Sequence, residues 1–68
     1  MARYYVSKNA QSNGDHEVHK FSCSRLPKQQ NRIFVGNHSS CRPAVRRARR
    51  KYSQVNGCYY CSNSCHTS

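Results

Sequence analysis

Apolar and β-branched residues cluster in three short segments of the chain's first half, and each segment predicts a strand. Residues 2–8, ARYYVSK, are aromatic and β-branched, and RIFVGN, whose strand ends at Gly36, has the clearest pattern. In residues 17–21, EVHKF, Val18 and Phe21 would both point inward if the segment bends. The three segments predict a small antiparallel sheet.

A helix is predicted after the third segment. Ser39 and Ser40 are good N-cap residues, and Pro43 falls in the first turn, where its missing N–H costs little. Apolar side chains then recur at spacings of three and four, and Asn56-Gly57 would end the helix. The apolar stripe consists of Cys41, Ala44, Val45, Ala48 and Tyr52, and the opposite face of Arg42, Arg46, Arg49 and Arg50.

The predicted fold class is therefore α+β. A three-stranded antiparallel sheet would carry one amphipathic helix in the C-terminal half, closed by a cysteine-rich tail, and residues 1–68 would form one domain. The core of such a fold is small, because only 35% of the 68 residues are hydrophobic and one Leu and one Ile are present. A chain of this length buries about 60% of its unfolded surface, so a disulfide, a metal or a partner is needed for stability.

Five cysteines are the obvious candidates for that stabilisation. An odd number leaves one thiol over in a disulfide framework. The first residues, MARYYVSKNAQSNG, lack the apolar run of a signal peptide, and no segment approaches the roughly 18 apolar residues of a membrane span. The expected location is the cytoplasm, where clustered cysteines are more often metal ligands or redox groups than structural disulfides.

Two short pairs have the spacing of metal ligands. Cys58 and Cys61 form a C-x-x-C motif, and His19 and Cys23 form an H-x-x-x-C motif at the end of the second predicted strand. Together they supply three sulfurs and one nitrogen, the donor set of a closed, structural, tetrahedral Zn²⁺ site. The sequence predicts one such ion.

Other assignments of the sulfur atoms stay open at this level. Cys65 is an alternative fourth ligand in place of His19, which is then a surface histidine at a strand end. Cys41 and Cys65 are alternatively a disulfide or a reduced pair. For Cys58 with Cys61, the competing interpretations are a disulfide or an unliganded turn.

The order of these motifs extends over about residues 4–61. The order is a strand, the H-x-x-x-C motif, a strand ending in Phe-Val-Gly, a helix with A-V-x-x-A and the closing C-x-x-C motif. This order resembles that of the N-terminal metal-binding domain of the Ada DNA-repair protein and its stand-alone relatives. In that domain four cysteines bind zinc, and the first accepts a methyl group from a DNA phosphotriester. The resemblance implies ligand roles for His19, Cys23, Cys58 and Cys61. Methyl transfer is not expected, because His19 stands at the methyl-accepting position.

The charge points to an anionic partner. The net charge is +10, with twelve Lys and Arg against only Asp15 and Glu17, which favours phosphate polymers or acidic protein surfaces. The helix face carries one sign of charge: Arg42, Arg46, Arg47, Arg49, Arg50 and Lys51. These six residues are predicted to bind nucleic acid, DNA or RNA, through its phosphates.

The alternative to nucleic-acid binding is a protein-interaction module, of a kind that a mobile element encodes, docking on an acidic protein or a nucleoprotein complex. A third hypothesis is redox or metal sensing through Cys41 and Cys65. Catalysis is not expected, because C-x-x-C follows the helix rather than opening one, as thioredoxin-like chemistry requires, and no acidic residue is near to orient a Cys-His pair. The expected state is a monomer without membrane contact.

Overall fold

The computed structural model describes residues 1–67, and within them four strands form one sheet on which one α-helix packs. The strands are β1 (Ala2–Ser7), β2 (His16–Lys20), β3 (Arg32–His38) and β4 (Val55–Gly57), in the order β3-β1-β2-β4. The α+β class and the helix are confirmed. The sheet is mixed rather than antiparallel, because β4 joins it parallel to β2 while β1 is antiparallel to β2 and β3.

The fourth strand lies where the sequence predicted the stop of the helix. Helix α1 spans Cys41–Ala48, and the chain continues in a hydrogen-bonded turn to Lys51. Asn56-Gly57 was expected to end the helix but forms β4, because the Asn56 side chain bonds locally to the Gly57 N–H and distantly to Thr67. Long-range contacts therefore override the turn preference of Asn-Gly.

The second strand ends one residue earlier than predicted. Phe21 was expected to point inward, but its side chain is 43% exposed. The strand stops at Lys20, whose N–H donates to the Sγ of Cys61, and the next N–H, that of Phe21, donates to the carbonyl of Arg3. Because the β1–β2 register stays regular and Phe21 lies three residues after inward-facing Val18, alternation places Phe21 on the outer face, with its ring centroid 4.0 Å from the Arg3 guanidinium.

One face of the sheet and the apolar stripe of α1 form the core. Strand alternation places the strand members on the inner face, and spacings of three and four place the helix members opposite them. The buried set is Tyr4, Val6, Val18 and Val35 from the sheet with Cys41, Ala44, Val45 and Ala48 from the helix. Tyr52 packs at the margin, stacked on His16 with ring centroids 3.7 Å apart. Such small side chains give a thin core, as the composition predicted.

Candidate metal centre

Parallel pairing of β4 with β2 brings the two ligand pairs together. His19 lies on β2 and Cys23 in the turn that follows, while Cys58 directly follows β4 and Cys61 lies in the next turn. The N–H of Cys58 donates to the carbonyl of Val18 at 3.0 Å, which fixes the height of Cys58 against β2. Two motifs that are remote in sequence thus meet at one end of a strand pair.

The four side chains form a cluster with the dimensions of a metal site. Their candidate ligand atoms all lie within 4.8 Å of one another, and the Sγ atoms of Cys23 and Cys58 are 3.9 Å apart. Tetrahedral Zn²⁺ with bonds to sulfur of about 2.3 Å separates its sulfurs by about 3.8 Å. One ion is therefore able to contact both thiolates with little rearrangement.

Backbone N–H groups point at the sulfur atoms. Lys20 N–H donates to Cys61 Sγ at 3.3 Å, and Arg25 N–H donates to Cys23 Sγ at 3.4 Å. The N–H groups of Tyr60 and Cys61 bond to the Cys58 sulfur. Such bonds stabilise thiolates, the form in which cysteine binds metal.

Burial is the main influence on the pKa of both thiols of the C-x-x-C motif. Burial raises the pKa of the Cys58 thiol, although the N–H groups of Cys61 and Tyr60 act in the opposite direction. Burial also raises the pKa of Cys61, and its contact with the Cys23 side chain adds to the effect. The two buried thiols therefore hold their protons unless a positive charge offsets the loss of solvation.

His19 is 3% exposed, so it is not a surface histidine. Burial lowers its pKa, which keeps the imidazole neutral and a lone pair available near pH 7. Its Nδ1 is buried and has no hydrogen-bond partner within residues 1–67, whereas Nε2 lies 3.7 Å from Glu17 Oε1. A metal at Nδ1 would satisfy the unpaired nitrogen, and a carboxylate beside the other nitrogen is common for ligating histidines.

The remaining sulfur atoms form a disulfide. Cys41 at the start of α1 is bonded to Cys65, and their Cα atoms are 6.3 Å apart. Cys65, the alternative fourth ligand, is therefore absent from the cluster in this structure because its Sγ is bonded to Cys41. Cys23, Cys58 and Cys61 are free thiols, which also excludes a Cys58–Cys61 disulfide here.

The six basic residues predicted to bind nucleic acid, on α1 and in the turn after it, are all exposed. Three of them, Arg42, Arg46 and Arg49, line a cleft of about 320 Å³ between α1 and the tail, together with Val45, Ser64, Cys65 and Thr67. Arg47, Arg50 and Lys51 lie outside it. We call the three arginines with Ser64 and Thr67 the arginine cleft.

Two residues, Glu17 and Asn56, have structural roles near the metal cluster and the tail that were not predicted from the sequence. Glu17 was counted only in the net charge, and no acidic residue was expected near a Cys-His pair, yet Glu17 Oε1 lies 3.7 Å from His19 Nε2. Asn56, treated as a helix stop, is buried and anchors the tail: its Oδ1 accepts hydrogen bonds from the N–H and the hydroxyl of Thr67, and its Nδ2 donates to Asp15. The Asn-Gly pair directly before the C-x-x-C motif was the available signal for such an anchor.

Comparison with protein-family models, curated proteins and solved structures finds no match to this chain. The similarity to Ada-type domains therefore rests on the motifs quoted above. Among the described residues, no helix has the length and apolar character needed to span a bilayer. The metal cluster is therefore the structural feature that bears most directly on function.

Gly57 provides a first test of how tightly the site is built. A Cβ on Gly57 would lie 2.7 Å from the Cβ of Cys65 and 2.8 Å from the carbonyl oxygen of Ser62. We expect Gly57→Ala to lower the free energy of unfolding by about 1–3 kcal/mol, as overpacking does, and to weaken metal binding because Cys58 is the next residue. Urea denaturation and zinc titration measure the two effects. Ser53→Ala, at an exposed position, is the control, and equal denaturation midpoints for both variants would contradict the prediction.

Proposed function

We propose that this chain is a small zinc-stabilised module without catalytic activity, which binds nucleic acid through phosphate contacts of its basic helix. The observation that carries the metal part is the cluster of His19, Cys23, Cys58 and Cys61 within 4.8 Å. Three thiols and one imidazole in a compact group favour Zn²⁺ over magnesium or calcium, which prefer oxygen ligands. Four protein ligands leave no open position for a water, so the ion is structural.

Zinc, when bound, would join the turn after β2 to the turn after β4. The four residues of the cluster also occupy the positions that the Ada-type resemblance assigns to ligands. Metal binding is the only property of those domains that we extend to this chain. A histidine at the first position removes the methyl-accepting thiol. The proposal therefore contains no methyl transfer.

The arginine cleft supports the nucleic-acid part. Three arginines line one concave surface, and guanidinium groups are among the usual donors to phosphate oxygens. Within residues 1–67 the carboxylates are engaged elsewhere: Asp15 accepts bonds from Asn13, Gln54 and Asn56, and Glu17 faces His19. The cleft therefore keeps its full positive charge for a partner.

Two triple variants with the same change in net charge test this proposal. We expect Arg42→Gln/Arg46→Gln/Arg49→Gln to weaken binding to a labelled DNA duplex and to reduce the salt slope by about 0.9 for each phosphate that the variant no longer neutralises. The control, Arg47→Gln/Arg50→Gln/Lys51→Gln, removes the same charge outside the cleft and should retain more affinity. Fluorescence anisotropy at salt concentrations from roughly 50 to 200 mM, a range over which phosphate contacts make affinity fall steeply, gives both the affinity and the salt slope.

Equal reductions of affinity in the two variants would show that the cleft has no special role. Absence of binding to duplex and single strand at low salt would reject the nucleic-acid proposal. A protein partner captured from nuclease-treated lysate and released by the cleft variant would then favour docking on an acidic protein.

A further inference from the structure

A second surface of the protein also has the chemistry of a binding site. Strand alternation places Arg3 and Tyr5 on the outer face of the sheet, opposite the face that packs against α1. Phe34 of β3 is the register partner of Tyr5, and their ring centroids are 5.4 Å apart. Phe21 lies on the other side of Tyr5 at 6.1 Å. We call these three rings, Tyr5, Phe21 and Phe34, the aromatic platform.

Two of the three rings are exposed to solvent, while Tyr5 between them is partly buried. Phe21 is 43% exposed and Phe34 is 51% exposed, whereas the largest completely buried side chains of the core are Val6, Val18 and Cys58. In a chain with so little apolar material, two phenylalanines would stabilise the fold more from inside the core. Adjacent exposed rings on one face therefore indicate a surface that binds something.

Two arginines determine what the surface can bind. The Arg3 guanidinium lies 4.0 Å from the Phe21 ring centroid, and that of Arg32 lies 4.7 Å from the Tyr5 centroid. Arg32 is held in place by donating from its NH1 group to the carbonyl of Pro27 at 2.9 Å. Glu17, on the same face by strand alternation, is directed to His19. The surface thus combines flat apolar rings with fixed positive charge.

We infer that the Phe34 ring and the Arg3 and Arg32 guanidinium planes, which lie over Phe21 and Tyr5, stack the unpaired bases of a single-stranded nucleic acid, and that the two arginines also supply charge to its phosphates. Rings and guanidinium planes are the groups on which unpaired bases stack, and the net charge of +10 is complementary to the phosphate chain. A duplex offers no free base faces to a flat surface of this kind. The inference deepens the proposed function and rests on it, but it uses the face opposite the arginine cleft.

The test compares a labelled single strand of about twelve thymidines with a duplex of equal length, because stacking acts on the first and phosphate contacts act on both. We expect Phe34→Ala to weaken single-strand binding about tenfold and to change duplex binding less than about twofold. Phe34→Trp should restore single-strand binding, since it keeps a stacking ring. Zinc content and circular dichroism confirm that each variant is folded.

Tyr60→Ala is the matched control, because Tyr60 is 63% exposed and carries the Arg25 guanidinium 4.0 Å from its ring centroid, outside the platform. Its single-strand affinity should equal that of the unchanged protein. Unchanged single-strand affinity in Phe34→Ala, or an equal reduction for the duplex, would overturn the platform while leaving the proposed function intact. Failure of the unchanged protein to bind either probe would overturn both, as would binding by the platform to anionic lipid vesicles alone.

Discussion

Withdrawal of zinc with a strong chelator is expected to unfold the protein. A structural Zn²⁺ in a zinc-finger peptide contributes an apparent free energy of about 10–16 kcal/mol at pH 7, more than the roughly 3–5 kcal/mol that a core of this size supplies. The unfolding follows from the position of the cluster, which links the turn after β2 to the turn after β4. Circular dichroism and amide NMR spectra during chelation, followed by zinc addition, measure the loss of structure and its reversal.

A matched pair of histidine variants assigns this effect to the cluster. His19→Ala removes the buried imidazole and leaves a cavity and an open fourth coordination position in place of a ligand. Zinc affinity should therefore fall by at least about tenfold. His38→Ala removes a histidine whose Nε2 contacts the carbonyl of Val35, and it should retain zinc. A chelated protein with unchanged NMR spectra and denaturation midpoint would show that the fold does not depend on metal.

Removal of the Cys41–Cys65 disulfide should have the second largest effect on stability. The bond closes a loop with a sequence separation of 24, for which the entropy of the unfolded chain predicts a stabilisation of about 3 kcal/mol. In a domain with so thin a core, that amount is a large part of the total. Cys41→Ala/Cys65→Ala should lower the free energy of unfolding accordingly, measured in denaturant with zinc present.

Alkylation and a neighbouring variant separate the bond from its surroundings. The unreduced protein, denatured with a chelator, should react at three cysteines, namely Cys23, Cys58 and Cys61. Ser64→Ala, which removes a hydroxyl 3.3 Å from Cys41 Sγ, should change stability far less. Reaction at every cysteine would contradict the disulfide, and that result would agree with the expected cytoplasmic location, which stays a prediction.

The features that sequence predicted best depend on local patterns. The spacing of Cys58 and Cys61 and of His19 and Cys23 indicated one ligand group, because short motifs at strand ends and turns hold their geometry in many folds. Helical periodicity likewise predicted the buried stripe of α1, of which Cys41, Ala44, Val45 and Ala48 lie in the core. The fifth predicted member, Tyr52, lies beyond the end of α1 and packs at the margin of the core. Both signals are contained in short stretches of consecutive residues.

The features that sequence predicted wrongly depend on distant residues. Asn56-Gly57 has the local preference of a turn, and only pairing with β2 and bonds to Thr67 make it a strand. The inward assignment of Phe21 assumed a bend after Val18, but pairing with β1 keeps the register regular, so alternation places Phe21 on the outer face. The choice between a disulfide and a ligand role for Cys65 was open for the same reason, because three-dimensional proximity decides it.

β4 is synthesised after the other three strands of the sheet, and this order affects how the nascent chain folds. The N–H of Lys20 donates to the sulfur of Cys61, which is 41 residues further along the chain and is synthesised later. Until β4 is made, the edge of β2 that pairs with β4 has no strand beside it. Nascent β2 therefore presents an unpaired edge, on which a strand of a neighbouring molecule can pair before β4 is made. Crowded translation would favour such exchange, and rapid metal capture by the emerging tail would suppress it.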